Sequence, residues 1–79
     1  MTADPEAVFL RALGKRNRIA RLTRELTQAD LADASGISRN FISLIEQGVH
    51  GVDVLRLLHI AAALDLPLSD LVKTGADQP

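Results

Sequence analysis

Apolar residues recur three and four positions apart along this chain, and Gly, Pro, Ser, Thr, Asn and Asp break the recurrence into short runs. That spacing predicts amphipathic helices, and the breaks predict about five of them. The first spans about Glu6 to Arg24, with Asp4 as N-cap and Pro5 at the first helical position. It carries two apolar stripes: Phe9, Leu13 and Ala20, interrupted by Asn17, and then Val8, Ala12, Ile19 and Leu22. The second opens at Thr27, which with Asp30 makes a variant capping box, and ends at Gly36, a residue tolerant of positive φ. The third opens at the N-cap Ser38 and closes at Gly48, with Ile42 and Ile45 turned toward a core. The fourth opens at Asp53 and runs to about Leu64. Val54, Leu57, Leu58, Ala61 and Leu64 form its expected inward stripe, while Leu55, Ala62 and Leu66 fall outside it. A short fifth helix covers about Pro67 to Lys73. No clear alternation of β-branched residues competes with this reading, so the expected class is all-α. Residues 1–5 read as an N-terminal tail, 6–73 as one domain, and 74–79, "TGADQP", as a disordered tail.

Length and composition narrow the picture. A chain of 79 residues is one domain by size, and it buries only about 60% of its unfolded surface. The absence of Cys removes disulfides and a zinc knuckle as sources of extra stability. What remains is tight helical packing or a second subunit. No apolar run approaches the roughly 18 residues of a membrane span, and the polar, acidic start is unlike a secretory signal. A cytoplasmic protein with no membrane association and no cofactor or metal is expected. The net charge of -1 argues against general nucleic-acid binding, yet six of the nine basic residues lie between Arg11 and Arg24. That run fits a solvated basic helix face or a phosphate-facing patch equally well.

Only "SGIS", Ser35 to Ser38, separates the second and third helices. Two short helices joined by a tight Gly-containing turn make a helix-turn-helix corner. Ile37 would fill its angle, and Ala32 would let the helices approach. The segment "LTQADLADASGISRNFISLIEQG" (Leu26 to Gly48), followed by "LLHIAAALDLPLSDL" (Leu57 to Leu71), resembles the lambda-repressor-like, Cro/XRE-type helix-turn-helix family. The resemblance runs from about Leu13 to Val72. It implies a compact five-helix DNA-binding domain, working as a homodimer on a short inverted-repeat operator. It also implies that Arg21, seven residues before Gln28, pairs with Glu46. Glu46 near a helix C-terminus needs a cation. Three positions depart from the family pattern: Asn17 is usually aliphatic, Glu25 is often Gly, and "VHGV" (Val49 to Val52) replaces a loop often bearing Lys or Arg and Pro.

The family's docking mode lays helix three in the major groove. With Ile42 and Ile45 inward, the outward side chains are Arg39, Asn40, Ser43, Leu44 and Gln47. Arg39 suits guanine O6 and N7, and Asn40 suits adenine N6 and N7. Ser43 is short and adaptable. Leu44 fits a thymine methyl or plain packing equally well. Phosphate donors are expected at Gln28, the caps Thr27 and Ser38, the basics Arg16 and Arg18, and His50, whose alternative is simple solvation. Leu55, Ala62, Leu66 and Leu68 form the candidate dimer interface, unless helix one or the tail covers them. Double-stranded DNA, a second copy and a further protein partner are the expected partners. The competing reading is a protein-interaction module or toxin-neutralising adaptor on the same fold. An enzyme is disfavoured: no Cys nucleophile occurs, and His50 and His59 lack Ser or acid at catalytic spacing.

Overall fold

Punctuation residues set the helix boundaries. The computed structural model describes residues 4–73, in which lie α1 (Pro5–Thr23), α2 (Gln28–Ser35), α3 (Arg39–Gln47), α4 (Val54–Ala63) and α5 (Leu68–Val72). No strand occurs among the described residues. The expected tail at 74–79 lies outside them, as do the first three residues of the expected N-terminal tail. Asp4, Thr27, Ser38 and Asp53 each accept a backbone amide as N-cap of their helix. Gly36 and Gly48 close α2 and α3 at φ of 74° and 73°, where a Cβ would be strained. The turns after α1 and α4 take the same left-handed conformation without Gly: Glu25 has φ of 58° and Asp65 of 56°. Glu25 thus holds a positive φ that Gly adopts more readily.

The core joins Leu13 of α1, Leu31 of α2, Ile37 of the corner, Ile42 and Ile45 of α3, Leu57, Ile60, Ala61 and Leu64 at α4, and Leu71 of α5. α1 packs directly on α3, and Gly14 permits it. A Cβ there would strike the Ile45 carbonyl oxygen and lie 2.7 Å from that of Glu46. The two backbones touch, so any side chain at position 14 forces them apart.

Two expectations about phase are corrected. On α4 the inward residues are Leu57, Ile60, Ala61 and Leu64; Val54 and Leu58 are exposed, on the solvent side with Leu55. The near-continuous apolar run of α4 hides its phase from periodicity alone. On α1 the buried set is Leu13, Gly14, Asn17 and Arg21. Phe9 is largely exposed, and Val8, Ile19 and Leu22 face solvent. Asn17 therefore does not interrupt the buried stripe but belongs to it.

Candidate nucleic-acid interface

Glu46 sits one residue before the end of α3 with its side chain only 4% exposed. A buried carboxylate there is tolerable only with several donors. Three reach it. Arg21 gives Nε to Oε2 at 2.7 Å and Nη2 to Oε1 at 3.0 Å, and Gln28 gives Nε2 to Oε1 at 3.1 Å. The Arg21 Nη1 donates to the Leu26 carbonyl at 2.8 Å. The hydrogen bonds that Arg21 donates to Glu46 raise its pKa above the ordinary value against the opposing effect of burial. This network ties α1, the α1–α2 turn, the first residue of α2 and the end of α3 into one unit.

Gln28 consequently has a fixed direction. One amide N–H is spent on Glu46, which leaves a second N–H and the carbonyl for another ligand. It lines an open cleft of about 270 Å³ with Arg39, Asn40 and Ser43. Three of the four expected base-reading residues, Arg39, Asn40 and Ser43, thus share one concave surface with Gln28, while Leu44 does not line it. Arg39 and Asn40 are exposed there. Ser43 Oγ accepts from Gln47 Nε2 at 2.9 Å, which orders both polar side chains along the outer face of α3. Leu44 is half-buried and stands outside the core cluster among the described residues.

The caps have their oxygens engaged. Thr27 Oγ1 accepts from the Asp30 amide at 3.0 Å while Asp30 Oδ2 accepts from the Thr27 amide at 2.9 Å. Ser38 Oγ accepts from the Phe41 amide at 3.1 Å. As an acceptor, the Ser38 hydroxyl keeps its O–H free to donate, whereas the Thr27 hydroxyl also serves the Asp30 carboxylate.

His50 is not simply solvated. Its Nδ1 lies 2.6 Å from the Gly51 carbonyl oxygen, and its ring meets Phe41 edge-on at 5.1 Å. A carbonyl only accepts, so Nδ1 is the donor in this contact. The other side of this cluster is Arg56, whose guanidinium lies 5.2 Å from the Phe41 ring centre and whose Nη1 donates to Asp53 at 2.9 Å. Arg56 is a cation beside the interface that the sequence reading passed over. Its signal was the Asp53-x-x-Arg56 spacing, which places both on the first turn of α4.

Arg16 and Arg18 do not line the cleft. Two helical positions turn them about 200° apart around α1, so both cannot face one DNA surface. Of the four expected interface residues, Leu55 and Ala62 are exposed on α4, while Leu66 and Leu68 are half-buried against the chain's own core. Leu58 joins Leu55 and Ala62 at helical spacing on the exposed side. No group of three or more potential metal ligands occurs among the described residues.

Comparison with known proteins places this geometry. The structure is similar to the restriction-modification controller protein C.AhdI from Aeromonas hydrophila: 34% identity, TM-score 0.77, covering 78% of this chain and 94% of that one. It is also similar to the clp gene regulator ClgR from C. glutamicum, with 29% identity and a TM-score of 0.79 over 86% of this chain and 88% of that one. A third similar structure is the wild-type restriction-modification controller protein C.Esp1396I, at 27% identity and a TM-score of 0.74, covering 84% of this chain and 91% of that one. No curated protein sequence matches the chain. The helix-turn-helix profile HTH_3 matches residues 18–71, which include the Gln28 cleft and the whole α2–α3 corner, and the chain belongs to that helix-turn-helix family.

Proposed function

We propose that this protein is a sequence-specific, double-stranded DNA-binding transcriptional regulator, with α3 in the major groove and no enzymatic role. The observation that carries the reading is the shared cleft of Gln28, Arg39, Asn40 and Ser43, with Gln28 held by Glu46. Family membership and the similarity to gene regulators and restriction-modification controllers support it. Arg39 pairs with guanine and Asn40 with adenine; Ser43 and Leu44 face the flanking bases, Leu44 toward a thymine methyl. Gln28 and Ser38 donate to phosphates, with Thr27 and His50 as further phosphate contacts. Arg16 and Arg18 contribute long-range attraction rather than contacts. Operation as a homodimer through Leu55, Leu58 and Ala62 would set two recognition helices about 34 Å apart, one turn of an inverted repeat.

Selection of bound sequences from random duplex DNA tests the whole proposal. An enriched inverted repeat is expected. Arg39→Ala and Asn40→Ala should each lose about 1–3 kcal/mol of binding to it while melting like the parent. If no sequence is enriched at low salt and high protein concentration, the DNA-reading proposal fails.

A further inference from the structure

The outer side of α1 is a second, unassigned surface. Val8, Ile19 and Leu22 are 50%, 55% and 50% exposed there, nearly opposite the side that carries Leu13, Gly14, Asn17 and Arg21. Together with Ala12 and Lys15 they occupy positions 8, 12, 15, 19 and 22. Those alternating steps of four and three are the seam spacing of a coiled coil. The positions that flank such a seam are 11 and 18 on one side and 9, 16 and 23 on the other. Arg11, Arg16 and Arg18 fill three of these, Lys15 lies in the seam itself, and no acid occurs between Glu6 and Glu25. The Gly14 contact shows that α3 packs on the other side of the helix.

We infer that this face of α1 docks an amphipathic helix of a partner protein whose own flanking positions are acidic. The charge pattern selects that occupant. A second copy of the same face would set Arg against Arg along both flanks, a like-charge arrangement that coiled coils reject. Phosphates would match the arginines but would leave Val8, Ile19 and Leu22 without apolar contact. An anionic membrane favours a broader apolar face than this narrow seam. The seam is long enough for such pairing, since 8 to 22 spans four helical turns, about 21 Å. Lys15 within the seam fixes register, as an isolated polar seam residue does elsewhere. The surface is independent of the DNA-reading face and does not rest on that assignment.

The test uses the full chain and a synthetic helical peptide with Leu at the seam positions and Glu at the flanking positions, a sequence that repels its own copy. A second peptide carries Lys in place of Glu. Fluorescence anisotropy should show binding of the Glu peptide and none of the Lys peptide, and amide NMR shifts should change at Val8, Lys15, Ile19 and Leu22. Ile19→Asp should weaken the Glu peptide at least about tenfold with an unchanged melting curve. The double variant Arg11→Glu, Arg18→Glu should reverse the preference and bind the Lys peptide. Equal binding of both peptides, shifts confined to α4, or adsorption to anionic phosphatidylglycerol vesicles without peptide binding would each overturn the inference.

Discussion

Asn17 donates its amide Nδ2 to the Leu13 carbonyl at 2.9 Å, but its buried Oδ1 has no partner, at a residue 1% exposed. A buried acceptor left unsatisfied costs about 1–3 kcal/mol. Leu keeps the branch at Cγ and removes the orphan. We therefore expect Asn17→Leu to raise stability by about 1 kcal/mol, which for a domain of this size is a rise in Tm of about 4–8 °C by calorimetry; an unchanged or lower Tm would mean that the site is too tight for the larger side chain. The sequence flagged Asn17 as unusual in a stripe, yet its burial is a property of the packed helices. Arg21 and Glu46 teach the same lesson from the other side. Their separation of 25 residues carries no local signal; family resemblance suggested the pair, and the fold supplies the 2.7 Å contact. Gln28 was expected as a phosphate donor, but its bond to Glu46 was not legible, because that bond spans two helices.

At the scale of elements, the caps were readable because each is a local event within four residues. They also set an acid response. Hydrogen bonds from the Thr27 amide and hydroxyl lower the pKa of Asp30, and the bond from the Arg56 amide leads those that lower Asp53. Carboxylates with depressed folded pKa values are held more weakly by protons in the folded chain than in the unfolded one. Their stabilisation is complete above the ordinary value of 3.8 and is lost as pH falls through the lower folded values. Thermal midpoints should accordingly stay level down to about pH 4 as regards these two groups and drop below it, with a shallower drop in Asp30→Asn, which keeps an acceptor for Thr27 but not the charge. An identical acid limb in that variant would remove the capping box from the account. The phases of α1 and α4 were harder to read. Both helices carry apolar residues on more than one side, and periodicity then names stripes without saying which one is covered.

Across the whole molecule, charge is unevenly spread. Basic residues crowd α1 while the chain as a whole carries -1, so DNA affinity would come from a few donors per subunit rather than from a positive field. The exposed side of α4, where Leu55 is 64% and Leu58 48% exposed, is the surface best suited to a second copy. Sedimentation at tens of micromolar, a range typical of modest subunit affinity, should show a dimer for the parent chain and a monomer for Leu58→Glu. A monomeric parent would remove the homodimer from the proposed function and leave the α3 surface to act alone.

Local spacing was enough to define the helices, the four side-chain N-caps, the Gly-closed corner and the inward Ile42 and Ile45 of α3, because each follows from interactions a few positions apart. Only packing in three dimensions settled that Gly14 lies in a backbone contact, that Asn17 is buried, that Leu58 and Val54 face solvent and that Arg56 stacks on Phe41 beside His50. Those outcomes depend on which helix covers which side. Close packing selects that from several apolar stripes of similar quality, and no single stripe contains the information.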